Sequence, residues 1–341
     1  MANPKLDFFR FKLKHKSGEE KTFRDFMLEC GKCKQQDTDF KIFNKLYEYF
    51  MKELNADFAK NESIKKVMTL ISNKINKHWD EQPRPEAGKY IIAGVVNGGT
   101  YGKDRIVSKL GKKDDTKKLS EDQPVLQYYY IFLYLPLDHN EGFVMIHTDS
   151  ADESISNFAR KYIADLFTIG DYQKPLMRIF VPQIFQEEYR KGAVISSMTF
   201  KTTYVDNQIE DDDPIKDMME DYDVKISITP RGKGEKGLDR MKQLRDYLLC
   251  RSFGADSYSK RLGEFDKCTV NTVNKSTKSS KTFDWNMREA ELTPVVYLKD
   301  KVNIKDDGTV DFVGLDKYCK DLFETQILQE LRPDLYVDGM V

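Results

Sequence analysis

Apolar residues alternate with polar ones in the first segment of the chain and then change to helical spacing. Residues 6–13, Leu-Asp-Phe-Phe-Arg-Phe-Lys-Leu, partly alternate and are followed by Ser17-Gly18, which predicts a first strand. Apolar residues recur three or four positions apart between Phe40 and Leu54, and again between Ile64 and Ile75, which predicts two helices. The segment Gln82-Pro83-Arg84-Pro85 then interrupts the pattern and predicts a boundary.

The chain beyond residue 86 is richer in strand patterns. Strands are predicted at residues 90–96, 127–135, 142–147, 176–181, 193–204, 224–229 and 292–298. Helices are predicted at residues 154–167, 238–249 and 314–331. Because the strands come in groups with helices between some of them, the pattern favours the α+β class. We expect a mixed, largely antiparallel sheet flanked by helices, with a helical N-terminal region.

These patterns predict three regions. Residues 1–85 form an N-terminal strand plus a helical region, residues 86–250 a mixed α/β core, and residues 251–341 a basic loop, a late strand and a C-terminal helix. A length of 341 residues agrees with one large or two ordinary domains.

Composition narrows the class of protein. An aromatic content of 12% excludes disorder of the whole chain. The sequence contains no apolar run of the roughly 20 residues that a membrane-spanning helix needs, and residues 1–10 lack a signal pattern. An odd number of cysteines, five, fits a reducing compartment. The sequence therefore predicts a cytoplasmic protein without membrane insertion.

Charge reverses sign near the middle of the chain. Residues 206–223 hold nine acidic residues and one lysine, whereas residues 225–281 hold 14 Lys or Arg and six Asp or Glu. The formal net charge of the whole chain is only −1. Opposed charge blocks in a nearly neutral chain indicate a charged partner surface. The acidic block is interpreted as a mask for the basic one, a repulsive guard, or a docking site for a second subunit.

Two polar segments carry most of the candidate ligand-binding residues. Residues 103–118 contain seven Lys or Arg and three Asp, and residues 269–281 are nearly all small, polar or basic. Both are predicted to be loops, and the second is predicted to be mobile because it offers few apolar anchors. The basic side chains predicted to contact phosphates are Arg231, Lys233, Lys236, Arg240, Lys275, Lys278, Lys281, Lys112 and Lys113.

A glycine-rich turn lies inside the second basic segment. Gly232-Lys-Gly-Glu-Lys-Gly237 matches G-x-G-x-x-G between a predicted strand and a predicted helix. Pro230-Arg231 interrupts the step from strand to turn, and no second strand ending in an acidic residue follows. A flexible turn or a turn that contacts phosphates is therefore favoured over a dinucleotide site.

Metal and catalytic patterns are incomplete. Cys30-Gly-Lys-Cys33 has no second close cysteine pair, so no zinc site and no cofactor are predicted. Asp223-Val-Lys225 matches the D/E-x-K tripeptide of metal-dependent nucleases at the start of a predicted strand. No partner acid is placed by the sequence, so Asp223 and Lys225 are only weak catalytic candidates, and whether the protein is an enzyme is left open.

The order of several segments resembles a known family. Gly94-Val-Val-Asn-Gly-Gly-Thr-Tyr-Gly102, an aromatic strand at 128–137, Glu141-Gly-Phe-Val-Met-Ile-His147 and a helix follow one another. Together with Lys191-Gly192 and the strands after it, this order resembles bacterial phage-defence proteins of the Kiwa cytosolic-subunit type, over about residues 86–250. The resemblance implies an antiviral-defence component that senses or binds nucleic acid or a phage product, and it assigns no functional residue.

Three functions remain open from the sequence. The first is a nucleic-acid-binding protein that contacts DNA or RNA through residues 103–118 and 231–281. The second is a metal-dependent nuclease, and the third is a non-catalytic subunit that binds a protein partner or forms a homo-oligomer.

Overall fold

The computed structural model describes residues 4–72, 74–149, 154–205, 221–229, 252–253, 260–261, 267–274, 279–284, 294–306 and 308–337. The chain divides into two compact units. Unit 1 contains residues 1–180 and 296–341, and unit 2 contains residues 181–295. The divisions therefore fall at 180 and 295, whereas the sequence predicts boundaries near 85 and 250. The proline segment lies within unit 1 because residues 84–86 are a strand of its sheet.

The strands are, in chain order, β1 Lys5–Lys12, β2 Lys14–His15, β3 Ala59–Asn61, β4 Lys66–Thr69, β5 Arg84–Glu86, β6 Ile91–Thr100, β7 Arg105–Lys109, β8 Lys112–Leu119, β9 Val125–Tyr134, β10 Glu141–Thr148, β11 Tyr172–Gln173, β12 Arg178–Ile179, β13 Ala193–Val205, β14 Asp221–Ile228, β15 Ser252–Phe253, β16 Lys260–Arg261, β17 Lys267–Asn274, β18 Ser279–Asp284 and β19 Val296–Tyr297. The helices are α1 Phe23–Glu29, α2 Asp39–Ala56, α3 Ser156–Leu166, α4 Gln183–Gly192 and α5 Phe312–Leu322. A π-helical turn at Phe323–Ile327 and a helical turn at Leu328–Leu331 continue α5, and a further turn follows at Asp334–Val337. Short 3₁₀ turns lie at Trp79–Glu81 and Ala87–Lys89.

One antiparallel sheet organises unit 1. Its strand order is β12-β1-β10-β9-β6-β4-β3, with β19 also pairing with β1 and β5 with β6. Strand β9 is central, as its long aromatic run predicts, and it pairs along its whole length with β6. The pairs in this sheet are antiparallel, which confirms the α+β class and the antiparallel character of the sheet.

One face of this sheet packs against three helices. Alternate residues of β9, including Tyr129, Ile131 and Leu133, are buried together with side chains of α1, α2 and α3. The N-terminal caps of α1 and α2 are Thr22 and Thr38, whose hydroxyl groups accept hydrogen bonds from backbone N–H groups of the first turn. These helices form because their apolar residues recur at helical spacing and the sheet supplies a surface that buries them.

The opposite face packs against the C-terminal helix. The ring of Phe323 lies 5.1 Å from that of Phe132, 4.7 Å from that of Tyr134 and 6.0 Å from that of Phe143, measured between centroids. The hydroxyl of buried Tyr130 donates a hydrogen bond of 2.9 Å to Asp316 of α5. The central strands are therefore covered on both faces.

Two adjacent glycines permit close packing in β6. A Cβ atom on Gly98 would lie 2.7 Å from a methyl group of Ile155, and one on Gly99 would lie 1.9 Å from the carbonyl oxygen of Val125. The strand predicted at 90–96 ends before these glycines, whereas β6 continues through them to Thr100. The glycines are part of the strand, where the absence of side chains lets β9 and the segment before α3 approach.

The predicted helical N-terminal region is not supported. The first residues form β1 and β2, and the predicted helix at 64–75 is wrong because β3 and β4 form a hairpin there. Val67 and Met68 are both buried although they are adjacent, whereas Ile64 and Ile75 are exposed. A strand covered on both faces buries consecutive residues, and this produces spacings that also fit a helix.

Most other predicted elements of unit 1 are confirmed. The predicted strands at 90–96, 127–135 and 142–147 correspond to β6, β9 and β10, and the predicted helix at 154–167 corresponds to α3. The predicted C-terminal helix at 314–331 corresponds to α5 and its continuation. The predicted strand at 176–181 is confirmed only as the short strand β12.

Unit 2 contains a four-stranded antiparallel sheet in the order β14-β13-β17-β18, and β15 pairs with β16. The predicted loop at 269–281 is wrong over most of its length, because β17 and β18 pair from Thr269 with Asp284 to Asn274 with Ser279. Thr272 and Asn274 are fully buried, and each forms a hydrogen bond with Tyr189 of α4. Buried polar side chains with hydrogen-bond partners replace the apolar anchors that the sequence lacks here.

Replacement of Phe323 by alanine should lower the free energy of unfolding of the protein by about 3–5 kcal/mol, because it removes a ring that is only 1% exposed and contacts three aromatic rings. Denaturant titration measures the change. Val313→Ala is the matched control, since Val313 lies on the same helix but is 64% exposed, and it should cost less than about 0.5 kcal/mol. Similar losses in the two variants would contradict the packing described for this face.

A buried arginine fixes the end of the C-terminal helix. Arg332 is 4% exposed, and its guanidinium donates to both carboxylate oxygens of Asp138, at 3.1 and 2.9 Å, and to Asp334. Hydrogen bonds from Arg332 hold the pKa of each of these carboxyl groups below its ordinary value. The ion pairs of Arg332 with the two aspartates therefore stabilise the fold fully above the ordinary aspartate pKa of about 3.9. This stabilisation is lost as the pH falls through the lowered pKa values of the two carboxyl groups.

Arg332→Met should accordingly destabilise the protein by about 1.5–3 kcal/mol at pH 7, and the difference from the wild type should shrink as the pH falls below about 4. Denaturant titrations between pH 3 and pH 7 measure the difference in free energy of unfolding between the variant and the wild type. Lys317→Met, at an exposed position of α5, is the control and should show no such pH dependence. A difference that stays constant with pH would indicate that Arg332 acts through packing alone.

Candidate anion-binding surfaces

The segment predicted as a loop at 103–118 is a β-hairpin. Strands β7 and β8 pair from Arg105 with Leu119 to Lys109 with Lys112, and Gly111 takes a φ of +82° in the turn. The hairpin continues the β6–β9 pair beyond the sheet, since Thr100 pairs with Val125 and the Gly102 N–H donates to the Glu121 carbonyl at 2.8 Å. The loop prediction is wrong because an uncovered strand needs no apolar alternation.

Every side chain of this basic hairpin from residue 106 to residue 118 is exposed. Lys117 and Lys118 pair with Val107 and Ile106 and point to opposite faces, since side chains alternate along a strand, whereas Lys112 and Lys113 lie beyond a register shift between Ser108 and Lys109. Lys118 forms an ion pair of 2.9 Å with Asp104, which is the only acidic partner shown for these lysines in the described part of the chain. Both faces of the hairpin therefore present cations to solvent.

Three apolar side chains of the basic hairpin are exposed, one of them at its tip. Leu110 is 100% exposed in the turn, and Ile106 and Val107 are 71% and 51% exposed. The leucine at the tip contributes nothing to the core, and its side chain is free to contact a ligand. The tip and the flanking lysines together form an amphipathic surface.

A second cationic surface is a cavity of about 300 Å³ in unit 1, here called the β1 cavity, which is lined by Arg10, Phe11, Lys12, Lys14, Glu141, Leu176 and Arg178. It lies at the edge of the sheet, between the pairing of β1 with β12 and the pairing of β2 with β11. The chain between β11 and β12 leaves the edge of β1 there, which opens the cavity.

Four cations and one carboxylate line the β1 cavity. Glu141 lies 3.9 Å from Arg10 and 3.6 Å from Lys12, while Lys14 and Arg178 have no ion pair within the described ranges. Arg10 also lies over the ring of Phe180, at 5.6 Å from its centroid. The cavity keeps a net positive charge after the internal ion pairs are counted.

Sequence reasoning missed the β1 cavity although one signal was present. The run Phe9-Arg-Phe-Lys-Leu-Lys14 alternates strictly, so its three cations fall on one side of the extended chain, opposite buried apolar residues. Arg178 joins them through the pairing of β12 with β1, and Glu141 through the pairing of β10 with β1. Neither of these neighbours follows from local spacing.

The weak catalytic candidates lie on β14. Asp223 pairs with Thr203 and Lys225 pairs with Lys201, and the side chain of Lys225 is exposed. Among the residues that the structure describes, no three His, Cys, Asp or Glu side chains are grouped so as to hold a metal ion.

The remaining sequence candidates divide into two sets. Lys281 lies on β18, where it pairs with Thr272 of β17. Arg231, Lys233, Lys236, Arg240, Lys275 and Lys278 lie outside the described residues, as do the glycine turn, the predicted helix at 238–249 and most of the acidic block. Lys112 and Lys113 are the predicted residues whose side chains are both described and exposed on one element.

The two cysteines of the C-x-x-C motif lie at the end of α1. Cys30 is the C-terminal cap of the helix, and the N–H of Cys33 donates to the carbonyl of Met27 at 3.1 Å. Both thiols are free and partly buried, and burial raises the pKa of each above its ordinary value. Such thiols are protonated at neutral pH, which lowers their nucleophilicity.

Two buried histidines approach the same aromatic ring. Phe312 of α5 lies 5.2 Å from the ring of His78 and 5.6 Å from that of His147. His78 forms a hydrogen bond of 2.6 Å with Glu81, and His147 forms one of 3.0 Å with Asp149. These histidines hold the first turn of α5 against the sheet.

Comparison with protein-family models and with curated proteins gives no match to this chain. Among the helices of the described residues, none has the length and apolar content needed to cross a membrane.

Cys30 and Cys33 should react slowly with iodoacetamide at pH 7, and the midpoint of the rate against pH should lie above the value of about 8.5 for free cysteine. Mass spectrometry of the peptide that carries both residues follows the reaction, with a short unstructured peptide containing one cysteine in the same tube as the control. A midpoint below that of the control would indicate activated thiols and would overturn the structural interpretation.

Proposed function

We propose that this protein binds duplex DNA through the basic hairpin, as a component of bacterial antiviral defence. The observation that carries the proposal is an exposed two-stranded ribbon that has cations on both faces and extends the sheet of unit 1. The defence role rests on the family resemblance of residues 86–250, and the binding role rests on the geometry of the hairpin.

The dimensions of the hairpin favour a duplex. The major groove of B-DNA is about 12 Å wide and admits a two-stranded β-ribbon, whereas the major groove of A-form RNA is too deep and narrow for side chains to read. Five residues of β7 span roughly 17 Å, which is about half a helical turn of DNA. A ribbon of this length reaches phosphates on both sides of a groove.

The charge distribution fits phosphate contacts. Lys117 and Lys118 point to opposite faces of the ribbon, and Lys112 and Lys113 are exposed near its tip, so a ribbon lying in a groove presents lysines to both backbones. Each neutralised phosphate releases condensed counterions, and binding of this kind is strong at low salt and independent of sequence. Leu110 at the tip is available for apolar contact with base edges in the major groove, where thymine presents a methyl group.

The alternatives have less support. A metal-dependent nuclease rests on the Asp223-Val-Lys225 tripeptide alone, and no group of three His, Cys, Asp or Glu in the described part of the chain could hold a metal ion. A subunit that binds only a protein partner is favoured by the exposed apolar tip of the hairpin, but the lysines beside Leu110 fit a polyanion better than an apolar protein surface.

Replacement of Lys112, Lys113, Lys117 and Lys118 by alanine should weaken binding to duplex DNA and reduce the slope of log K against log salt by roughly 0.9 for each phosphate that the variant no longer neutralises. Fluorescence anisotropy with a labelled duplex at several salt concentrations measures both quantities. The decrease in affinity should be similar for unrelated DNA sequences, because lysines on phosphates position the protein and do not specify bases.

The matched control changes the same number of charges elsewhere. Lys52, Lys161, Lys299 and Lys317 are exposed lysines outside the basic hairpin, and their joint replacement by alanine should leave the slope nearly unchanged. Equal decreases in the two variants would show that only net charge matters. If the wild type binds no duplex at low salt, the proposal fails and the partner-binding subunit replaces it.

A third variant tests the basic segment beyond residue 230. If the wild type binds DNA and the hairpin variant binds equally well, the contact surface lies elsewhere, and Lys233, Lys236, Lys275, Lys278 and Lys281 are the residues to replace together. A drop in salt slope for that variant alone would assign binding to residues 231–281.

A further inference from the structure

We propose that the β1 cavity binds the triphosphate group of a nucleotide. The site is separate from the basic hairpin: it lies next to the edge pairing of β1 with β12, whereas the hairpin extends β6 and β9. The proposal therefore goes beyond DNA binding and does not depend on it.

Charge is the first argument. Arg10, Lys12, Lys14 and Arg178 line the cavity with a single carboxylate, Glu141, so the lining carries a net charge of +3 by counting these five residues. A triphosphate carries three or more negative charges at neutral pH, which complements this lining, while a monophosphate leaves part of it uncompensated. Arginine and lysine side chains are the usual protein partners of phosphate oxygens.

Cross-strand pairing is the second argument. Arg10 and Arg178 are direct partners in the ladder between β1 and β12. Like charges directly opposite each other on neighbouring strands are destabilising, and Glu141 forms ion pairs with Arg10 and Lys12 but none with Arg178. An anion bound between the two guanidinium groups removes this repulsion, so the fold is stabilised when the cavity is filled.

The shape and the remaining lining residues point to an organic polyphosphate. A volume of about 300 Å³ is at the lower end of the range of small-molecule sites. Leu176 lines the cavity and is 59% exposed, so its apolar side chain is available to a base or sugar. The carboxylate of Glu141 accepts hydrogen bonds. Inorganic polyphosphate offers few donors to it, whereas a nucleoside offers ribose hydroxyl and base amino groups.

The direct test is isothermal titration calorimetry of the intact protein at low salt with ATP, inorganic tripolyphosphate, AMP and adenosine as probes. ATP and tripolyphosphate should bind, AMP should bind at least tenfold more weakly than ATP, and adenosine should not bind. Saturating tripolyphosphate should also raise the melting temperature. Absence of binding by both triphosphates would overturn the proposal.

The decisive variant is Lys14→Ala combined with Arg178→Ala, since neither side chain belongs to the core and both are exposed. ATP affinity should fall at least tenfold and the thermal shift should disappear. Lys161→Ala combined with Lys317→Ala removes two exposed lysines that do not line the cavity, and ATP affinity should be unchanged. Equal affinities in the two double variants would overturn the assignment of the site.

Glu141→Gln tests the nucleoside part separately. The variant should bind tripolyphosphate more tightly, because the net charge of the lining rises, but the gain for ATP should be smaller because ATP loses its hydrogen bond to the carboxylate. Equal gains for both probes would overturn the role of Glu141. The four-lysine hairpin variant should bind ATP like the wild type, so failure of the DNA proposal and failure of this one are distinguishable.

Discussion

The structure of unit 1 depends on a sheet whose central strands are buried on both faces. Tyr129 and Ile131 of β9 face α1 to α3, while Tyr130 and Phe132 face the C-terminal helix. An antiparallel sheet commonly leaves one face in water, and covering both requires helices from two parts of the chain. The chain therefore returns to unit 1 after unit 2, at residue 296, because the second face needs a cover.

Burial of the strands on both faces also explains which of the predicted elements are confirmed and which are wrong. The run at 127–135 is long, aromatic and continuous, as expected of a strand buried on both faces, and β9 confirms it. The prediction at 64–75 fails for the related reason that Val67 and Met68 are buried on opposite sides of a strand, so their spacing imitates a helix. The strands within 103–118 and 269–281 do not follow from the pattern, because one hairpin has no covered face and the other buries polar residues.

The candidate sites are predictable to different degrees. The concentration of lysines at 103–118 is visible in the sequence, but their division between two faces requires the register of β7 and β8. The alternation at 9–14 predicts three cations on one side of an extended chain, yet a cavity requires Arg178 and Glu141, which only the sheet topology brings to that edge. Local spacing identifies the cationic strand. The pocket forms because strands that are distant in the sequence pair with that strand.

Cations at exposed strands also have a protective role, since charged residues on sheet edges prevent pairing with other chains. That role alone does not account for either surface. Protection does not require Leu110 to be fully exposed at the tip of the basic hairpin, which adds an apolar surface where a charge would protect better. It also does not require two arginines to face each other across β1 and β12, an arrangement that costs stability until an anion lies between them. The opposed arginines therefore work against the stability of the isolated chain, and this repulsion is the feature that the proposed anion would relieve.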